Sequence, residues 1–563
     1  GATTTSKAPA AVTPPGDVSS APTGLGQSVP AGVVGPSRTR AAALAASERV
    51  AIKTPAIEGS INLTGAQIDD VVLPKYRTTT ADDAPPITVF SPVGAPDTYF
   101  AEHGWASTTG SIVDSKTKWT QTSTGALTPS NPLVLRYEGA NGLVFTRTIT
   151  VDDNYMFSIR QDVENTGTTA QSLFPYAFIS RHGEPEGDNI FILHEGLLGV
   201  FQEDGLVEVD YDDAIEAKRT AYEGTGGWVG ITDKYFSAAL VPDQTRKFKA
   251  EIVGSAVGGT NYYQANYALG SMTIAPGGKA SVTGNVFAGA KRADILDTYE
   301  TKLSIDRFTL MVDWGYFWFI TKPLYWLLKY IYDVIGNYGV AILLVTVLIK
   351  ILFFPLANKS YVSMGRMKKL QPEMERIKER FGDDRARQQK AMMELYQKEK
   401  INPMAGCLPI LLQIPVFFAL YKVLYVSIEM RHAPFFGWVQ DLSAPDPTSI
   451  FNLFGLLPYA VPAFLLIGVW PLLMGISMWV QMKLNPAPTD PIQQTIFTWM
   501  PVFFTFLLAS FPAGLVIYWT WNNILSVAQQ WIIMSREGVK VELFDNIRKS
   551  LAWMQRGKPT GDA

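Results

Sequence analysis

The chain has 563 residues, 47% of them hydrophobic, and 48 Lys and Arg against 51 Asp and Glu give a net charge of −3. Averages of this kind suit a soluble protein of several domains and give no reason to expect specific DNA binding. The single cysteine, Cys407, excludes an intrachain disulfide, so an extracytoplasmic part must stand on its own hydrophobic core.

Position along the chain changes this picture. Up to about residue 305 the chain is polar, with Gly, Thr, Asp and Val in short alternating runs. Beyond it come apolar segments of about 20 residues, the length a helix needs to cross ~30 Å of hydrocarbon. Residues 1–46, rich in Ala, Pro, Thr, Ser and Gly, hold too few large apolar side chains to offset ordering entropy and predict a disordered tether. They contain no signal-peptide core and no membrane span, so either an anchor has been removed or the chain starts after a processing site.

From 47 to 303, stretches such as AIKTPAIEGSINLTG and NGLVFTRTITVDDNYMFSIRQDVENTG alternate apolar and polar residues and close on Gly, Asn or Asp. Many short strands at such spacing predict a large β-sandwich. His103, His182 and His194, with Glu184, Glu186 and Glu195 near two of them in sequence, could supply a His–carboxylate pair for sugar chemistry. No catalytic spacing supports that use, and surface-loop positions are expected.

Residues 304–336 include FWFITKPLYWLLKYIYDVIGN. Lys322, Lys329 and Asp333 fall on one helical face and apolar residues fill the rest, with Pro323 expected in the first turn. This predicts an amphipathic helix lying in the membrane interface. Five spans follow, at about 337–356, 407–426, 464–482, 493–511 and 513–533. The loop Ala357–Gly406 carries twelve Lys and Arg against seven acids, whereas Ser427–Ala463 has only Arg431 against Glu429, Asp441 and Asp446. By the positive-inside rule the first loop is cytoplasmic. Residues 1–303 are then periplasmic, and the basic tail, 536–563, lies inside.

The basic loop predicts a helical hairpin, LQPEMERIKERF and DRARQQKAMMELYQKEK, with Gly382 and Asp383 as stop and cap. Met364, Met367, Met374, Met392, Met393 and Met404 give it an adaptable apolar surface for varied partners, or serve only to glue its helices together.

Lys350 lies within YGVAILLVTVLIKILFF, and none of the expected spans carries an acidic residue to pair with it. A charge there costs several kcal/mol unless water or a partner reaches it, which marks a functional site in a wet cavity. The alternative is a stem that snorkels to the headgroups. Thr346 lies one turn away on the same face. Gln413, in the second span, is expected at a similar depth, so that it shares one cavity with Lys350. Asn522 and Asn523 sit near the middle of the last span, Tyr518 and Trp519 nearer its outer end, and Thr495, Thr498 and Thr505 add hydroxyls from the fourth. Interhelical hydrogen bonding is the plainer use of such residues. No nucleotide motif is present, and no metal or cofactor is expected.

Four stretches, DWGYFWFITKPLYWLLKYIYDVIGNYGVAILLVTVLIK, LQPEMERIKERFGDD, ALYQKEKINPMAGCLPILLQIPVFFALY and DPIQQTIFTWMPVFFTFLLASFPAGLVIYWTWNN, resemble the YidC family of membrane protein insertases in order and topology. GGWVGITDKYFSAALVP is similar, more loosely, to that family's β-supersandwich. The resemblance implies an α+β membrane protein, a periplasmic β-supersandwich followed by a five-helix transmembrane insertase core with a cytoplasmic helical hairpin. It implies no enzyme. The expected function is an insertase and chaperone that moves client transmembrane segments from the cytoplasm into the inner membrane through a hydrophilic groove, alone or with the Sec translocon. Nascent membrane proteins, the Sec translocon, the ribosome and signal recognition particle pathway, and membrane lipids are the implied partners.

Residue by residue, the family's groove arginine falls on Lys350, which keeps the charge but loses the planar fork for carboxylates. Its groove threonine and the polar residue of the next span fall on Thr346 and Gln413, and client contacts on Tyr518 and Trp519. Asn522 and Asn523 complete the candidate set. The apolar insertion FNLFGLLPYAVP, Phe451–Pro462, departs from the family pattern. A small-solute transporter would show internal repeats, and none is found. A membrane-anchored carbohydrate-binding protein would place function in residues 47–303.

Overall fold

The structure, a computed structural model, describes residues 38–185, 193–382, 384–399, 408–457, 459, 461–462, 466–485 and 491–538. Residues 1–37 of the expected tether, Glu186, Asp383, Met404, Cys407 and the tail from 539 onward lie outside these. The chain divides into two compact units, Gly1–Asp313 and Trp314–Ala563.

The first unit is built on period-two alternation. In LVFTRTITV, Leu143–Val151, every second residue from Leu143 is buried, as a pleated strand turns alternate side chains to one face. Its antiparallel neighbour Met156–Asn165 matches it in register, with Ile159 opposite Ile149 and Gln161 opposite Arg147. These strands belong to a nine-stranded sheet. From edge to edge it runs Gly205–Asp210, Gly196–Phe201, Gly227–Thr232, Phe236–Val241, Lys279–Ala290, Met156–Asn165, Leu143–Val151, Leu133–Glu138, Thr120–Gln121. An eleven-stranded sheet has the main path Arg49–Lys53, Glu58–Asn62, Gln67–Arg77, Tyr99–Ser107, Gln171–His182, Thr260–Leu269, Lys247–Val257, Arg219–Thr225. All strand pairs described are antiparallel.

Central strands are buried on both faces, Gly227–Thr232 throughout. Helices supply cover that strand patterning does not announce. They are α1 (Arg40–Leu44), α2 (Tyr211–Ala217) and α3 (Ala293–Lys302). Helix α1 lies within the expected tether and is docked by an Arg40–Asp70 ion pair. Beyond α3, Phe308 stacks edge-on against Trp228 at 5.5 Å and Phe287 at 5.6 Å. Tyr299 of α3 donates to Asp152 at 2.6 Å and accepts the Tyr155 N–H at 3.1 Å.

The second unit is helical: α4 (Trp318–Ile335), α5 (Tyr338–Leu352), α6 (Phe354–Lys369), α7 (Gln371–Phe381), α8 (Arg385–Lys398), α9 (Leu408–Val426), α10 (Val469–Leu484), α11 (Pro491–Leu508) and α12 (Ala513–Arg536). Among the described residues no single helix is long and apolar enough to cross a membrane, although α5 and α6, bent by 68°, are so as a pair. The break falls at Phe353, two residues before Pro355, which has no N–H to bond the Ile351 carbonyl and instead sits in the first turn of α6. Lys350 therefore stands two residues from the end of α5.

Helix α4 starts earlier than expected, so Pro323 lies in its second turn. It buries Thr321, Leu324, Tyr325 and Leu328, an i, i+3, i+4, i+7 stripe, in packing against α5 and α9. Trp326, Tyr330 and Val334 form an exposed apolar stripe on another face. The hairpin forms as α7 and α8, capped by Asp384, whose carboxylate accepts the Arg387 N–H at 3.1 Å. Met374 is buried within it and Met364 packs on Tyr361 and Ile533, which leaves Met393 as the exposed methionine of this region among the described residues.

Between α9 and α10 the chain is pinned by the buried Asp446. Its carboxylate accepts from Trp438 Nε1 at 3.1 Å, from Thr448 Oγ1 at 2.6 Å and from the Trp470 N–H of α10 at 2.9 Å. Helices α10 and α11 meet closely at Gly475, where a Cβ would come within 2.0 Å of Thr505 Oγ1. Small residues permit such approach.

Candidate functional site

Three side chains of α12, Tyr518, Asn522 and Ser526, recur every four residues and so share a face. Lys350 reaches across from α5 and donates from Nζ to Ser526 Oγ at 2.7 Å. The Ser526 hydroxyl donates in turn to the Asn522 carbonyl at 2.7 Å, and its oxygen accepts from the ammonium. Among the described residues no carboxylate pairs with Lys350. The cation is thus held in place by a neutral dipole.

One turn back on α5, Thr346 is buried and its hydroxyl donates to the Ile342 carbonyl at 2.7 Å, a bond within its own helix. Trp521 adds a further α12–α5 tie, from Nε1 to the Leu343 carbonyl at 3.2 Å. Gln413 of α9 also joins this face, donating from Nε2 to the Tyr518 hydroxyl at 2.6 Å. Tyr518 is eight residues before Ser526, about 12 Å along the helix axis at 1.5 Å per residue. Gln413 and Lys350 therefore engage α12 at two levels, where a common depth was expected. The wall they form runs lengthwise.

Trp519 and Asn523 belong to another face of α12. Asn523 Nδ2 donates to Ser477 Oγ of α10 at 3.0 Å, and Trp519 packs against Met474, Met478, Leu508 and Val516. Further along, Gln530 Nε2 donates to Asn485 Oδ1 at 3.1 Å. The structure thus separates the candidate residues. Lys350, Gln413, Tyr518 and Asn522 gather on one side of α12 and Asn523 fastens α10 on the other, while Trp519 also meets the Phe417 ring of α9 at 4.8 Å. Of the hydroxyls in the fourth expected span, Thr498 and Thr505 donate within α11, to Gln494 and Pro501.

Ser526 was not singled out from sequence. The signal was present, since it continues the four-residue spacing of Tyr518 and Asn522, but a serine four residues past a conspicuous asparagine pair draws no attention by composition.

The β-rich unit pairs none of its candidate histidines with Glu184 or Glu195 among the described residues; the carboxylate that His194 meets is Asp210. His103 and His182 lie on strands, not in surface loops. His103 is enclosed, and burial with the nearby Arg147 lowers its pKa to about 3. Burial alone lowers that of His182 to about 4. His194 meets Asp210 at 2.9 Å, Glu184 accepts from Tyr263 and Asn261, and Glu195 accepts the Lys234 N–H at 2.7 Å. The buried Arg147 donates to the His103 carbonyl at 2.8 Å and Gln161 Oε1 at 3.1 Å, with its guanidinium 4.6 Å from the Trp119 ring centre. Glu102 accepts from Gln67 at 2.6 Å, and burial pushes its carboxyl up to about 7.

Comparison with known proteins agrees with both units. The family described as "60Kd inner membrane protein" matches residues 330–540, and the one described as "YidC periplasmic domain" matches residues 49–327. The protein named membrane protein insertase YidC from Bradyrhizobium diazoefficiens is 52% identical over 531 residues, 91% of this chain and 86% of its own length. Its namesake from Brucella suis is 54% identical over 514 residues, 91% of this chain and 84% of its own. A solved active YidC insertase aligns over 86% of this chain and 92% of its own at 17% identity, with a TM-score of 0.36. Two matching families that together run from the β-rich unit through the helical one, and relatives more than half identical along nine-tenths of the chain, establish that it belongs to the YidC family of membrane protein insertases, a bacterial inner-membrane family with a periplasmic domain.

Proposed function

We propose that this chain moves client membrane segments from the cytoplasm into the inner membrane along a groove walled by α5, α9 and α12. The observation that carries this reading is Lys350, a cation bonded to a hydroxyl and to no carboxylate among the described residues. An ammonium at that position lowers the cost of drawing a short acidic or polar client tail below the membrane surface, while the client's apolar helix stays beside lipid. Insertion is then driven by burial, at ~25 cal/mol per Å², and by the membrane potential. It involves no covalent chemistry.

In this reading α5 with its bent continuation, α9, α10, α11 and α12 are the five crossings, α4 lies in the interface, and the α7–α8 hairpin and the C-terminal tail face the cytoplasm. The excess of Lys and Arg in 357–406 supports that orientation. Thr346, Gln413, Tyr518 and Asn522 extend the groove wall from Lys350, and Trp519 and Asn523 brace it from behind. The hairpin and tail receive ribosomes and the signal recognition particle pathway, and larger clients arrive through the Sec translocon.

The test is insertion in a strain depleted of its own insertase. Lys350→Ala is expected to impair clients with acidic leading tails, and Lys350→Arg to support them. If Lys350→Ala inserts every client normally, the ammonium is a snorkelling charge and the groove loses its centre.

A further inference from the structure

The segment between α9 and α10 has no place in this function so far. From Pro447 to Met482 the chain contains no Asp, Glu, Lys, Arg or His. Helix α10 takes up only its last part, 16 residues, about 24 Å at 1.5 Å per residue. That falls short of a ~30 Å hydrocarbon core, so the residues leading into α10 start at the level of the membrane and not above it.

Two described residues of this stretch, Ile450 and Ile467, are tied together. The Ile450 N–H donates to the Ile467 carbonyl at 3.1 Å and brings the two ends together. Below that closure Asp446, 3% exposed, ties Trp438, Thr448 and the first turn of α10 to one carboxylate. Thr448 Oγ1 also accepts the Val469 N–H at 3.0 Å. The base is therefore rigid. Above it, Phe451, Leu453, Phe454, Leu456, Leu457 and Tyr459 stand 40% to 81% exposed.

Leu453 and Phe454 both have left-handed backbone, with φ of 50° and 59°. Large L side chains seldom adopt it unless the surroundings impose it. Here the turn is imposed by the Phe454 N–H on the Ser449 carbonyl at 2.7 Å and the Leu457 N–H on the Asn452 carbonyl at 3.0 Å. A fixed fold that spends such conformations to present apolar side chains outward has an apolar occupant over them.

We infer that the described turn of this segment, Phe451, Leu453, Phe454, Leu456, Leu457 and Tyr459, buries its apolar side chains in the outer leaflet, at the boundary between headgroups and acyl chains. The inference rests on the reading that α10 crosses the membrane with its N-terminus on the periplasmic side. Lipid is favoured over a protein partner on two grounds. Among the described residues Leu466 and, on α10, Leu473 and Ile476 are exposed as well, and no charged residue occurs in the sequence between the turn and them, whereas partner interfaces carry a polar rim. Tyr459 near the tip also suits the interfacial depth. Deeper burial is excluded, because irregular backbone cannot satisfy its polar groups in hydrocarbon.

The test uses the full chain with Cys407→Ser, a fluorophore on Leu456→Cys, and reconstitution into phosphatidylcholine and phosphatidylglycerol vesicles. Nitroxides on the lipid acyl chains, near the headgroup or near the chain end, report depth, and aqueous iodide reports exposure to water. Probes on Ile476→Cys, in the middle of α10, and on the exposed Lys116→Cys of the β-rich unit are the references. The Leu456 probe is expected to lose most of its emission to the shallow nitroxide and less to the deep one, with several-fold weaker iodide quenching than at Lys116. Iodide quenching equal to that at Lys116 overturns the inference, as does shielding from both nitroxide and iodide, which would make the occupant a protein. The Ile476 probe tests the crossing of α10 separately. If it escapes the deep nitroxide, the topology fails whatever the loop does.

Discussion

Ser526→Ala removes the one hydroxyl that the Lys350 ammonium meets at 2.7 Å. The Asn522 carbonyl loses a donor as well, but that carbonyl lies in mid-helix and keeps its place in the backbone ladder of α12. The larger loss is the charge-assisted bond, which is worth about 1.5–3 kcal/mol when its partner is deleted. At 1.4 kcal/mol per tenfold, the population of Lys350 held against α12 falls by roughly tenfold to a hundredfold. The long stem is then free to carry the ammonium to the cytoplasmic headgroups. Clients with acidic leading tails are expected to insert more slowly by up to that factor, and clients without acidic tails to be unaffected. Protease protection of short single-span clients in proteoliposomes measures both. Ser526→Thr keeps the oxygen and is expected to restore insertion. Combined with Lys350→Met, Ser526→Ala is expected to add nothing, since residues acting through one contact are not additive. Independent, additive losses would refute the argument, as would a Ser526→Ala protein that inserts acidic-tailed clients at the normal rate.

Other consequences are open to measurement. Gly475→Val would drive a side chain into Thr505 Oγ1, so α10 and α11 must separate, at a cost of about 1–3 kcal/mol, read as a lowered melting temperature of the detergent-solubilised chain. Asp446→Ala leaves Trp438 Nε1 and the Trp470 N–H without their acceptor, and is expected to destabilise by at least about 1–3 kcal/mol, whereas Asp446→Asn retains part of the network. In the β-rich unit, Glu102 is raised from 4.5 to about 7, first by burial, so its contribution to stability is complete below 4.5 and lost as pH rises through 7. His103 is lowered from 6.5 to about 3, so its contribution is complete above 6.5 and lost as pH falls towards 3. The two slopes oppose each other between 4.5 and 6.5 and nearly cancel there. Glu102→Gln removes one of them, so that the melting transition of this unit is expected to climb with pH across that window by the equivalent of about 3 kcal/mol; a flat profile in the variant would show that His103 is not the opposing group.

What could be read from the sequence was what rests on period and composition. Alternation in LVFTRTITV set a strand and its buried face, but could not say that Gln161 would stand opposite Arg147 to accept its hydrogen bond, because register is fixed by pairing across strands. Helix α3 was hidden inside a β-rich stretch, since ADILDTYETK covers a sheet face whose need for cover shows only once Gly227–Thr232 is seen to be buried on both sides. In the helical unit the apolar runs located α5 and α9 to α12, while their ends moved wherever proline or a turn intervened, as at Phe353.

The candidate site shows the same division. An unpaired lysine in an apolar run can be recognised because the cost of burying a charge belongs to the residue and its immediate surroundings. Which residue satisfies it is a property of how α5 packs on α12, and a serine is too common to stand out until that packing is known. The asparagine pair makes the point more sharply. Asn522 and Asn523 are adjacent in sequence, yet a helix turns about 100° between them. One therefore faces the lysine's wall and the other fastens α10. A polar residue in a span has two possible uses, and on α12 the helical period decides between them. The stripe Tyr518, Asn522, Ser526 is continuous with Lys350, whereas Asn523 and Gln530 hold still the neighbouring segment against which that stripe must keep its shape.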